Sequence, residues 1–132
     1  MGHPGSQPIE AGFNLNGTSS NYKIDNAFTN ETGKMTIKIN LGGSSATFAN
    51  FHIHTKGFDS PDGMPSTPGN NYEGNGRGDT GMADAIYSGP YKQDLQIYVM
   101  SWYGLSMYDP KTKQSTQLVK GTGFLKGSTC PH

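Results

Sequence analysis

The sequence predicts an α+β domain in which one central helix packs on a mixed or antiparallel sheet. Short stretches alternate apolar and polar residues between turn signals, one segment near residue 80 has helical spacing, and 19 Gly with only 32% apolar residues point to turn-rich β structure. Four β-like stretches come first, at 9–15, 22–28, 34–41 and 47–54, parted by Asn16-Gly17, residues 30–33 and Gly42-Gly43. They are expected to form an antiparallel meander. The clearest alternation sets Met35, Ile37 and Ile39 against Lys34, Thr36, Lys38 and Asn40.

Residues 56–78 are of another character, rich in Gly, with three Pro and almost no aliphatic side chain. A long insertion of this kind in a compact domain is expected to serve as an active-site loop. A helix follows from Asp79 to Ser88, stopped by Gly89-Pro90. Asp79, Met82, Ala83 and Ile86 share one stripe at i, i+3, i+4 and i+7, so Asp79 points towards the sheet. Asp84, five residues on, falls about 140° around the helix and off that stripe. Beyond Pro90, strands are expected at 95–102 and 105–108 about Tyr103-Gly104, and at 115–119 after the turn Asp109-Pro110-Lys111-Thr112.

At 132 residues the chain has the length of a single domain. We expect it to span 9–125, with 1–8 a linker or cloning scar and 126–132 a flexible tail. Ten basic and ten acidic residues balance to a formal net charge of +0, and Arg77 is the sole arginine, which argues against nucleic acid or an anionic membrane as partner. Neither a signal peptide nor a transmembrane run is evident, and localisation stays undetermined. Cys130 is the one cysteine, so no intrachain disulfide forms, and its place near the terminus argues against a nucleophilic role. Asn16-Gly17-Thr18 and Asn30-Glu31-Thr32 match the glycosylation pattern and are read as chance in the absence of a secretory signal.

The chemistry concentrates at Phe51-His52-Ile53-His54. A period of two puts Phe51 and Ile53 on one strand face and His52 with His54 on the other. Residues two apart are separated by roughly 6.6 Å along a strand, so the two imidazoles can supply two corners of a tetrahedral metal site. A strand face that merely meets water is the bland alternative for such a pair. Asp79 at the inward corner of a helix start can cap the helix, ligate a metal, or do both. Glu10 is one of three glutamates, the others being Glu31 and Glu73 in expected turns or loops. A zinc site with three protein ligands needs a nearby carboxylate to take a proton from water, and Glu10 is the candidate.

These residues resemble the signature of the JAB/JAMM metallopeptidases, an upstream Glu, then His-x-His, then an Asp at a helix start. The chain looks closest to the JAB-like toxin domains of bacterial polymorphic toxins, in which a Gly-rich loop ending in Gly-Asp follows the His pair, here Gly76-Arg77-Gly78-Asp79. The segment Gly104 to Asp109 adds a Gly-Leu-x-x-Tyr-Asp pattern. The resemblance implies the cytidine-deaminase-like arrangement of that family, Zn2+ held by His52, His54 and Asp79, and Glu10 as general base. It further implies hydrolysis of a peptide or isopeptide bond in a protein or peptide substrate, a cognate immunity protein as a further partner, and delivery as part of a larger secreted toxin. Two features depart from the signature. Twenty-four residues separate His54 from Asp79, a longer interval than the family uses, and Gly76 occupies the place of the family serine. Ser60, Ser66 or backbone N–H groups are the candidates to replace it.

Two other functions fit parts of the sequence. A metal-dependent toxin nuclease shares the paired histidines but needs basic residues along the phosphate path. A non-catalytic β-rich module would bind protein or glycan through Tyr72, Tyr87, Tyr91, Trp102 and Tyr103, although Trp102, ending an apolar strand, is expected in the core.

Overall fold

The computed structural model describes residues 10–30, 38–53, 64–68, 78–101 and 104–120. Among the described residues six strands form one mixed sheet: β1 (Glu10–Thr18), β2 (Asn21–Asn30), β3 (Thr47–Ile53), β4 (Gln96–Ser101), β5 (Gly104–Asp109) and β6 (Gln114–Lys120). Their order across the sheet is β2-β1-β3-β4-β5-β6. Every neighbouring pair is antiparallel except β3 and β4, which run parallel. A parallel pair needs a crossover, and α1 (Gly78–Tyr87) lies in it. The domain is therefore α+β, with one helix among the described residues.

The core lies between this helix and the sheet. Ala83 from α1 meets Leu95, Ile97, Val99 and Tyr108, with Ile39, Met82 and Ile86 packed against them. On β4 the strand period is plain: Ile97, Val99 and Ser101 are buried while Gln96, Tyr98 and Met100 are half-buried. The opposite face carries one aromatic rung, Phe13 to Phe51 to Tyr98, set by the register that pairs Phe13 with Phe51 and Phe51 with Tyr98. Its rings are stacked, with centroids 5.2 Å and 4.4 Å apart and interplanar angles of 13° and 6°. Each such pair contributes about 0.5–1.5 kcal/mol beyond its area. None of the described helices is long and apolar enough to cross a membrane.

Several strand expectations need correction. The first three strands do not form a meander, because β3 pairs with β1 and leaves β2 at the sheet edge. The stretch at 34–41 is not a strand over its described part, residues 38–41. Side chains hold that part as a loop. Thr47 donates its backbone N–H to Asn40 O (3.0 Å) and accepts the Asn40 N–H on Oγ1 (2.9 Å), while Gln93 Nε2 donates to Asn40 O (2.8 Å) and Thr47 O (2.6 Å). Residues 31–37 lie outside the described residues. Asn16-Gly17 is not the first turn either, since β1 continues to Thr18 and turns at Ser19-Ser20, where Thr18 Oγ1 accepts the Asn21 N–H at 3.1 Å. Gly17 stays in the ladder opposite Tyr22 with φ +114, a conformation open to glycine at no steric cost.

Candidate metal centre

His52 sits in the middle of the sheet, its Cα paired with Gly12 on β1 and Val99 on β4. Its relative exposure is 0% and that of Asp79 is 5%. The crossover from β3 to β4 brings the first turn of α1 over the end of β3, and His52 Nε2 lies 3.3 Å from Asp79 Oδ2.

Asp79 is held by a loop. Ser66 donates its backbone N–H to Asp79 Oδ2 (3.0 Å), and its Oγ accepts the Asp79 backbone N–H (2.9 Å). Ser66 O accepts the next helical amide, Thr80 N–H, at 2.9 Å. One serine thus satisfies two of the amide donors that a helix N-terminus leaves open, and the Asp79 charge also lies at the positive end of the helix dipole. Gly78 permits the approach. Its φ is +67, and a Cβ there would lie 2.7 Å from Thr67 O and 2.9 Å from Ser66 O. Two residues earlier, Met64 Sδ accepts the Ser106 hydroxyl at 3.0 Å, tying the same loop to β5.

His52 is held from its other side. Its Nδ1 is 2.7 Å from Asn50 Oδ1, Asn50 Nδ2 donates to Asn14 Oδ1 at 2.7 Å, and Asn14 Nδ2 donates to Lys38 O at 2.6 Å. Asn14 and Asn50 are paired across β1 and β3, and both are buried.

The sequence-derived site residues fall out unevenly. His52 and Asp79 are brought together. Glu10 opens β1 two residues before Gly12, the Cα partner of His52, and its side chain lies outside the described residues. His54 follows the last residue of β3 and also lies outside them, as do Ser60, Tyr72, Trp102 and Tyr103. Asp84 takes no part in the pair: its Oδ1 accepts the Tyr108 hydroxyl at 2.6 Å and meets Lys113 Nζ at 3.4 Å. Burial first, then the Asp84 contact, pushes the Tyr108 hydroxyl above its ordinary pKa. Among the described residues no group of three or more His, Cys, Asp and Glu converges. Asn14 and Asn50 were not legible as site residues from the motif, although strand parity with His52 marks Asn50.

The two donor atoms, His52 Nε2 and Asp79 Oδ2, are of types that fit zinc. Imidazole nitrogen and carboxylate oxygen are ordinary zinc ligands, and bonds of 2.0–2.2 Å at a tetrahedral angle set two such atoms about 3.3–3.5 Å apart. The 3.3 Å between Nε2 and Oδ2 falls there, and it is longer than the roughly 2.7–2.9 Å of a charge-assisted hydrogen bond. No protein-family model matches this sequence, and comparison with curated proteins and with solved structures finds no match.

Proposed function

We propose that this chain is a zinc-dependent hydrolase of the JAB/JAMM type that cleaves a peptide or isopeptide bond, acting as a bacterial toxin or effector domain. The buried contact of His52 Nε2 with Asp79 Oδ2 at 3.3 Å carries the proposal. Two ligand-type atoms from a strand and a helix start meet there, at the separation a shared ion sets, in a sheet interior that apolar side chains would otherwise fill.

In this function His52, His54 and Asp79 would hold the ion. A bound zinc supplies Lewis-acid polarisation of the scissile carbonyl and lowers the pKa of water. Glu10 takes a proton from the attacking water and passes it to the leaving amine. Ser66 fixes the Asp79 carboxylate through its backbone N–H, so that Oδ2 stays turned to the imidazole. The helix on the sheet and the parallel pairing of the histidine strand β3 with β4 suit the arrangement that the JAB/JAMM resemblance implies.

Elemental analysis of the dialysed protein beside a His52→Ala/His54→Ala double variant tests it. About one zinc per chain in the parent and none in the variant is the expected result, with Glu10→Gln keeping the metal and losing hydrolysis of peptide or isopeptide substrates. A parent that takes up no zinc even when supplied with it would sink the proposal.

A further inference from the structure

We infer that Asn50, oriented by Asn14, is a positioning residue that forces the proton of His52 onto Nδ1 and so reserves Nε2 for the Asp79 side. The inference rests on the proposed zinc function for its consequence, though the protonation state it assigns can be read without any metal.

The assignment runs from an atom that leaves no choice. Lys38 O is a backbone carbonyl and only accepts, so the Asn14 atom 2.6 Å from it is the amide nitrogen. Asn14 therefore turns Oδ1 to Asn50. That oxygen also only accepts, so the Asn50 atom 2.7 Å away is Nδ2, and Asn50 turns its own Oδ1 to His52. Facing a pure acceptor at 2.7 Å, His52 Nδ1 must carry the hydrogen. The direction of three successive hydrogen bonds is thus fixed from a loop carbonyl to the imidazole.

Without this chain the proton would sit elsewhere. A neutral imidazole beside a carboxylate favours donating Nε2–H to it, which would block Nε2 as a ligand. An acceptor on Nδ1 offsets that preference, as carboxylates and carbonyls do behind metal-bound histidines. The burial of the three side chains, 1% exposure for Asn14 and 0% for Asn50 and His52, keeps water from replacing any member. Asparagine is depleted in strands, and two paired amides under a helix-covered face weaken the apolar core that packing alone would favour. A task beyond packing accounts for them.

Asn50→Leu removes the acceptor, and Asn14→Leu leaves Asn50 free to flip. Side-chain 15N NMR of His52 in the metal-free protein reads the proton position, and competition with a chelating indicator reads zinc affinity. In the parent, Nδ1 should carry hydrogen. In Asn50→Leu the proton should move to Nε2 with a 10- to 100-fold loss of zinc affinity, and Asn14→Leu should give a mixture. Folded Asn50→Leu with Nδ1 still protonated would overturn the inference, as would a single unchanged Asn14→Leu tautomer if Asn50→Leu failed to fold. Should the parent bind no zinc, the nitrogen spectra alone would decide: the zinc function would fail, and the positioning role would stand or fall with the tautomer.

Discussion

Ser66 and Asp79 are bonded to each other twice, Ser66 N–H to Asp79 Oδ2 at 3.0 Å and Asp79 N–H to Ser66 Oγ at 2.9 Å. The pair resembles a capping box in which the capping serine comes from a loop 13 residues away in sequence instead of from the helix itself. The stability of the helix start and the setting of the Asp79 carboxylate are thereby linked. Ser66→Ala leaves the buried Asp79 amide without its acceptor, an expected cost of about 1–3 kcal/mol. The loss should appear as a lower denaturation midpoint by circular dichroism, accompanied by weaker zinc binding. Unchanged stability would mean that the cap is replaced from elsewhere.

Gly78 allows that loop to lie against the helix start. Gly78→Ala suffers both from its φ of +67 and from a Cβ 2.7 Å from Thr67 O, whereas Gly43→Ala, at φ +77, meets none of the described residues within 4 Å. The left-handed conformation alone costs roughly 1–2 kcal/mol for an L residue. Gly78→Ala should therefore lose more stability than Gly43→Ala, and it alone should weaken zinc binding, because relief of the contact moves Ser66. Equal losses in chemical denaturation, with zinc affinity untouched, would show that the close approach is not what the glycine serves.

Helix positions were legible because their spacing is local. Met82, Ala83 and Ile86 form a stripe, Gly89-Pro90 ends it, and α1 occupies Gly78–Tyr87. The last three strands were legible for the same reason, through an apolar run and two turn signals. The order of the first strands was not, because it depends on partners distant in sequence. The loop at 38–46 is clamped by Gln93, about fifty residues away, through Asn40 O, Thr47 O and the Gly42 N–H. An Asn-Gly pair also reads as a turn unless the strand has glycine-specific geometry, as at Gly17. In the site, Asp79 was legible from helical parity, while the approach of Ser66 came through a turn-rich segment that carries no periodic signal.

Asp84 and Asp79 belong to one helix but make different contacts, Asp84 with Tyr108 and Lys113 and Asp79 with His52, and substitution should separate them. Asp84→Ala strands the hydroxyl of Tyr108, a core residue with 5% exposure, and should cost about 1–3 kcal/mol. It should leave zinc content unchanged. Asp79→Ala should abolish zinc binding and with it the gain in melting temperature that added zinc gives the parent. Loss of metal in Asp84→Ala with retention in Asp79→Ala would reverse the assignment of the helix faces.

The Asp94 carboxyl supplies a pH signature away from the candidate centre. Its Oδ1 is buried and meets no hydrogen-bond partner among the described residues. Burial chiefly, then contact with the Asp109 carboxylate, pushes its pKa above the ordinary 3.8, against a smaller opposing pull from Lys111. A folded-state pKa raised in this way means that the folded chain binds the proton more tightly than the unfolded chain. Between the ordinary value and the raised one, stability contributed by this group falls as pH rises, the reverse of a salt-bridged aspartate. Asp94→Asn mimics the protonated form. Its melting temperature should exceed the parent's at neutral pH, and the difference should shrink as the pH is lowered towards 4. A difference that stayed constant with pH, or grew on acidification, would show that Asp94 carries no excess proton affinity in the folded state.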